Sequence, residues 1–235
     1  MILYVNGDSH SAAAEAVNIH AFAEDDPQYF YLGRAPHPDN LSVSWGKLLS
    51  LTLRAGLHCA AESASSNARI LRTTREWLAT RQDLDELLVI IQWSTWEREE
   101  WYDEKSKQYF QVNASGQDMV PQELQEKYRQ YIMGIDWEWK TQEAHDQIWQ
   151  FHKELEAQGI NHIFFNGNTD FSKIKDQKDW GKNYIEPYNS EITFDAIVRK
   201  QGIETVAPNS YHFGKDAHSF FNRFMLQYII TNKFI

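Results

Sequence analysis

Two short runs at opposite ends of this 235-residue chain carry the residue types of nucleophilic catalysis. Near the start, Gly7-Asp8-Ser9-His10 follows the apolar run Ile2-Leu3-Tyr4-Val5, so a serine stands where a strand turns sharply into a helix. Such a junction offers oriented backbone N–H groups and positive potential to an oxyanion, which suits Ser9 to attack an acyl carbonyl. The same position also suits a serine that only caps the helix. Near the end, Asn209-Ser210-Tyr211-His212-Phe213-Gly214 supplies His212 on a late loop, and a hydroxyl nucleophile needs a general base of this kind within hydrogen-bond reach.

The elements that must bring these runs together alternate between strand and helix. After the first strand, Ala12, Ala13, Ala16, Val17 and His20 recur at helical spacing, and residues 24–44, with three prolines, read as a loop. Trp45, Leu48, Leu49, Thr52 and Leu53 give a helix that Gly56 would stop. Leu57 to Ala61 read as a strand, and Ser65-Ser66-Asn67 would cap a helix through Ile70, Thr74 and Trp77. Leu87-Leu88-Val89-Ile90-Ile91 is a continuous apolar run of the type buried on both faces of a parallel sheet, and it should be the central strand. A helix through Ala144, Ile148, Phe151 and Leu155 stops at Gly159, a strand covers Ile160 to Phe165, residues 168–190 form a loop, and an apolar helix runs from about Ala217 to Ile230. This order predicts an α/β fold, a three-layer α/β/α sandwich on a parallel sheet, with the site beyond the carboxyl ends of the strands.

On its first and last blocks the chain resembles the GDSL/SGNH hydrolase superfamily. Gly7-Asp8-Ser9-His10 looks like that family's serine block, and His212, with His218 six residues on, looks like its C-terminal block. The resemblance implies a flavodoxin-like sheet and ester hydrolysis through an acyl-serine, with no metal or organic cofactor. It implies Ser9 and His212 as catalytic residues. Where the family keeps an aspartate three residues before the histidine, this chain has Asn209, so either a Ser-His dyad operates or another acid such as Asp216 moves in. Ser65 falls at the family's oxyanion glycine, and Asn67 could add a donor or cap the helix. The third turn, Gln92-Trp93-Ser94-Thr95-Trp96-Glu97-Arg98, lacks the family's oxyanion asparagine. Thr95 is its nearest replacement, and Arg98 either grips an anionic group or pairs with Glu97, Glu99 and Glu100. This turn is similar to that of divergent phage-encoded members. His218 is expected to fix the last helix to the preceding loop.

Two other functions compete. Asp8-Ser9-His10 and Gly167-Asn168-Thr169-Asp170 partly match metallophosphoesterase blocks, but Thr169 stands where a ligand histidine should be, and the other ligand pairs are missing. The lost asparagine and aspartate also fit a catalytically degenerate glycan-binding or structural protein. Composition narrows the field. With 23 basic against 33 acidic residues the net charge is −10, which argues against nucleic acid or an anionic membrane as a partner, while the resemblance implies a small-molecule or glycan ester. One cysteine, Cys59, permits no intrachain disulfide, and no signal-peptide or membrane-spanning pattern is found, so a cytoplasmic location is expected, with a virion compatible. The chain reads as a single domain over 1–235 with an insertion at about 94–140. Six of the nine tryptophans (Trp93, Trp96, Trp101, Trp137, Trp139 and Trp149) lie in or beside it, and Glu97 to Glu143 hold eleven acids against six bases. This acidic, ring-rich stretch is expected to form a wall or lid over Ser9.

Overall fold

The computed structural model describes residues 1–24, 32–82, 84–114 and 120–235. In chain order the strands are β1 (Ile2–Asn6), β2 (Gly56–Cys59), β3 (Leu87–Trp93), β4 (Glu99–Asp103), β5 (Gln108–Val112) and β6 (Asn161–Asn166). The helices are α1 (Ser9–Ala12), α2 (Pro38–Ser42), α3 (Trp45–Leu53), α4 (Asn67–Ala79), α5 (Gln125–Met133), α6 (Trp137–Ala157), α7 (Phe194–Lys200) and α8 (Lys215–Thr231). Four strands form a parallel sheet in the order β2-β1-β3-β6, and β4 and β5 form a separate antiparallel hairpin. The apolar run 87–91 is fully buried and sits inside the sheet between β1 and β6, as expected.

Pleating decides which helix each strand residue meets. Leu3, Val5, Leu88, Ile90, Ile163 and Phe165 share one core with Trp45 and Leu49 of α3, Phe194 and Val198 of α7, and Phe221 and Met225 of α8. The alternate residues Tyr4, Val89, Ile91 and Phe164 share the opposite core with Ile70 of α4 and Ile148, Phe151 and Leu155 of α6. The fold is therefore the predicted three-layer α/β/α sandwich. From β1 the chain goes to β2 on one side and then to β3 on the other, so strand order reverses between β1 and β3, the place where ligands of such sheets bind beyond the carboxyl ends.

Local readings differ in two places. The alanine-rich stretch after Ser9 is helical for only one turn, because Ala13 (φ 55°) and Glu15 (φ 62°) are left-handed. The stop of α3 is Arg54, left-handed at φ 52°, and Gly56 instead opens β2. Loop 24–44 contains the short helix α2, and its residues 25–31 lie outside the described residues.

Buried histidines join the layers. His162 Nδ1 lies 2.8 Å from the carbonyl of Ile160 and must donate, so its Nε2 accepts from His152 Nδ1 at 2.8 Å, an arrangement that holds only while His162 is neutral. Burial pulls His162 down to about 4. His218, buried at the start of α8, accepts from the Trp45 N–H of α3 at 3.4 Å, and burial takes it to about 3. Below an unfolded value near 6.5 the unfolded chain binds protons that these two rings refuse, so stability falls with falling pH. Each ring is expected to remove roughly 1.4 kcal/mol per pH unit between 6.5 and its own folded value. Urea midpoints measured at pH 7 and pH 5 check this, the lower midpoint being expected at pH 5.

Candidate active site

Asn6 ends β1 with its side-chain Oδ1 accepting the Gly7 N–H at 2.8 Å. Asp8 then caps α1, its carboxylate accepting the His10 N–H at 3.0 Å. Ser9 is thus the first helical residue and not the cap. It is 7% exposed, and among the described residues its hydroxyl and its N–H have no hydrogen-bond partner. Gly7 is required by crowding. A Cβ there would stand 2.7 Å from Ser11 Oγ and 2.9 Å from Gln92 Cβ, and Ser11 Oγ is already fixed by its bond to Gln92 Oε1 at 2.8 Å. Gly7→Ala is therefore expected to cost about 1–3 kcal/mol, read as a lowered urea midpoint.

The fully buried Asp8 carboxylate locks the first turn to the third. It accepts from Gln92 Nε2 at 2.6 Å, Ser94 Oγ at 3.0 Å and an Arg98 guanidinium nitrogen at 3.0 Å. Burial alone would raise this carboxyl, but the neighbouring His10 and Arg98, with the hydrogen bonds from Gln92 and the His10 backbone, hold it below the usual carboxylate range. Arg98 pairs with Asp8 across the crevice and not with the adjacent glutamates. Asn67 is not the helix cap, a role taken by Ser66. Its amide ties the second turn to the third, accepting from Ser94 N–H at 2.9 Å and donating to Ser94 O at 3.2 Å, so it is not a free oxyanion donor.

Ser65 is also engaged, its N–H at 3.1 Å and its hydroxyl at 2.7 Å from the Glu62 carbonyl. The uncommitted N–H in that turn is Ala64's, in a residue at φ 62°. The Thr95 hydroxyl is buried and unpartnered among the described residues.

The late loop packs on α1 through His10, and among the described residues His212 makes no hydrogen bond to Ser9. Val206 N–H bonds the His212 carbonyl at 2.9 Å, and the His212 ring lies edge-on to the His10 ring with centroids 6.1 Å apart. The carboxylate facing His212 Nδ1, however, is Glu15 Oε2 at 3.0 Å. Asn209 is exposed and makes no hydrogen bond to His212, and Asp216 is also exposed, so neither expected partner takes that place. Glu15 was missed because the surrounding alanines and valine read as continuous helix. The only local signal was a lone acid six residues after Ser9. His10 is packed on Phe194 and Phe213, and burial holds it below its ordinary value.

The insertion is not a tryptophan lid over Ser9. Trp93 and Trp96 are buried against Phe164 and Phe171, Trp149 packs on His152 and Trp180, and Trp101 anchors a separate small core with Phe110 and Val112. Trp137 and Trp139 are exposed at the start of α6. What the insertion does bring to the crevice is Gln111, whose amide donates to the Ser63 carbonyl of the second turn at 2.8 Å. Asp8, a ligand in the metallophosphoesterase reading, is already saturated by Arg98, Gln92 and Ser94, and among the described residues no three His, Cys, Asp or Glu side chains are grouped to hold a metal.

A family of unknown function, DUF6071, matches residues 37–151, less than half of the chain and neither Ser9 nor His212. No curated protein sequence matches significantly. Among solved structures, the chain is similar to a psychrotrophic esterase, EstA, from Pseudoalteromonas sp., inhibited by monoethylphosphonate, at 13% identity and a TM-score of 0.48 over 98% of this chain and 97% of that one. It is also similar to a member of the lipolytic protein G-D-S-L family from Veillonella parvula, at 11% identity and a TM-score of 0.45 over 97% of each. Among the described residues no helix is long and apolar enough to cross a membrane.

Proposed function

We propose that the chain is a serine ester hydrolase with Ser9 as nucleophile and His212 as general base. The observation that carries the reading is the state of the two side chains. Ser9 is relieved of capping by Asp8 and keeps a free hydroxyl, while His212, on a loop packed against α1, has Nδ1 facing a carboxylate, which leaves Nε2 to work as the base. In the reaction, Ser9 Oγ bonds to the acyl carbon as its proton passes to His212 Nε2. The tetrahedral intermediate collapses by breaking the ester C–O bond, and the leaving alcohol takes that proton. Water then attacks the acyl-serine, gives a proton to His212, and the acid leaves as that proton returns to Ser9 Oγ. The uncommitted N–H groups of Ser9 and Ala64, with the Thr95 hydroxyl, are the donors available to the oxyanion, in place of Ser65. Arg98 organises this wall through Asp8. The substrate class proposed is a small-molecule or glycan ester.

The test is hydrolysis of a short-chain aryl ester by the wild type and by Ser9→Ala. Turnover that falls to the uncatalysed background in Ser9→Ala is the expected result, and equal turnover in both proteins rejects the reading.

A further inference from the structure

We infer that Glu15, assisted by Ser210, is the acid that orients His212, so that nucleophile and acid are carried by one turn of chain and the base by another. The inference rests on the hydrolase reading for its catalytic meaning, but its geometry stands alone. Glu15 Oε2 is 3.0 Å from His212 Nδ1 and accepts from Ser210 Oγ at 2.7 Å, and that same Ser210 Oγ accepts the His212 backbone N–H at 2.9 Å. Glu15 therefore meets His212 twice, at the ring as an ion-pair contact in which Nδ1 completes no hydrogen bond, and through Ser210 at the backbone.

The local conformation points the same way. Glu15 adopts φ 62°, a left-handed conformation disfavoured for a residue with a long side chain, in an alanine-rich stretch that has every local reason to continue as helix. A strained backbone persists where surrounding contacts over-determine it, and the contacts available to Glu15 are His212 and Ser210. The His212 ring 3.0 Å away, foremost, and the hydrogen bond from Ser210 hold the Glu15 carboxyl below its ordinary range against the effect of partial burial. It is therefore ionised wherever a histidine titrates. An ionised carboxylate at Nδ1 fixes the tautomer with Nε2 free and stabilises the imidazolium that forms during attack, which an amide cannot do. Glu15 is a positioning residue, because it acts on the reaction through His212.

Wild type, Glu15→Gln, Glu15→Asp and Ser210→Ala are compared by proton NMR and by aryl ester kinetics. The Nδ1 proton of His212, identified by its loss in His212→Ala, is expected as a low-field resonance in the wild type that disappears in Glu15→Gln and persists, shifted, in Glu15→Asp. Turnover is expected to fall roughly 10²- to 10⁴-fold in Glu15→Gln with KM little changed, to recover in part in Glu15→Asp, and to fall less in Ser210→Ala. A low-field resonance unchanged in Glu15→Gln overturns the inference, as does a kcat for that variant within twofold of wild type. Loss of the resonance in Glu15→Gln, in a protein with no ester turnover in any form, supports the Glu15 contact while rejecting the hydrolase reading.

Discussion

Replacing His212 by alanine is expected to lower ester turnover by about 10⁴- to 10⁶-fold, the range found when the base of a cooperating nucleophile pair is removed. The size of the effect follows from the lack of a substitute. His10 is the neighbouring ring, but it is buried against Phe194 and Phe213 and held below its ordinary protonation range, and His218 is buried behind it on α8. Neither can replace a base at the crevice. Stability should change little by comparison, since the loop keeps its bond from Val206 N–H to the carbonyl of residue 212. Steady-state kinetics on an aryl acetate, paired with a thermal melt, separates the two effects. A melting temperature that collapses together with activity would mean that His212 is structural.

Asp8→Ala is expected to be the most destabilising single change at the site, at about 3–5 kcal/mol. Asp8 is 1% exposed, and its removal strands Gln92 Nε2, the Ser94 O–H and the His10 N–H and leaves the Arg98 guanidinium with Ser94 Oγ but without a counter-charge. Arg98 keeps partial access to water, with its side chain 20% exposed, which places the cost below that of a wholly buried charge left alone. Asp8→Asn preserves volume but turns an amide NH₂ toward other donors, so it should recover little. Chemical denaturation checks the pair. An Asp8→Ala midpoint close to wild type would show that the network joining the first and third turns contributes little.

The parts of this molecule that were legible in the sequence are those set by neighbouring residues. The run 87–91 is apolar at every position because both faces of β3 are covered, and no partner needs to be known to read that. The glycine turn before Ser9 and the serine cap of α4 are equally local. The acid was not legible, because Glu15 meets Ser210 across 195 residues of chain and does so by interrupting a helix that local propensity favours. Arg98 and Asp8, 90 residues apart, posed the same difficulty, since three nearby glutamates offered Arg98 a partner in sequence that it does not use in space. Ser65 stands where the resembled family keeps its glycine, whereas Ala64 is the residue in the left-handed conformation and, among the described residues, the one whose N–H is free. The tryptophans were misplaced for a different reason. A clustered composition says that rings need burial, and the β4–β5 hairpin with α5 supplies it through a small core of its own.

The central claim is that Ser9 is an activated nucleophile, and its most direct measurement is the site of covalent capture. The protein is incubated with a fluorophosphonate at neutral pH, digested, and mapped by mass spectrometry, with Ser9→Ala and His212→Ala alongside. The account predicts one phosphonyl group, on Ser9, absent from Ser9→Ala and strongly slowed in His212→Ala. A wild-type protein that takes up no label, or that carries it on another residue, contradicts the account.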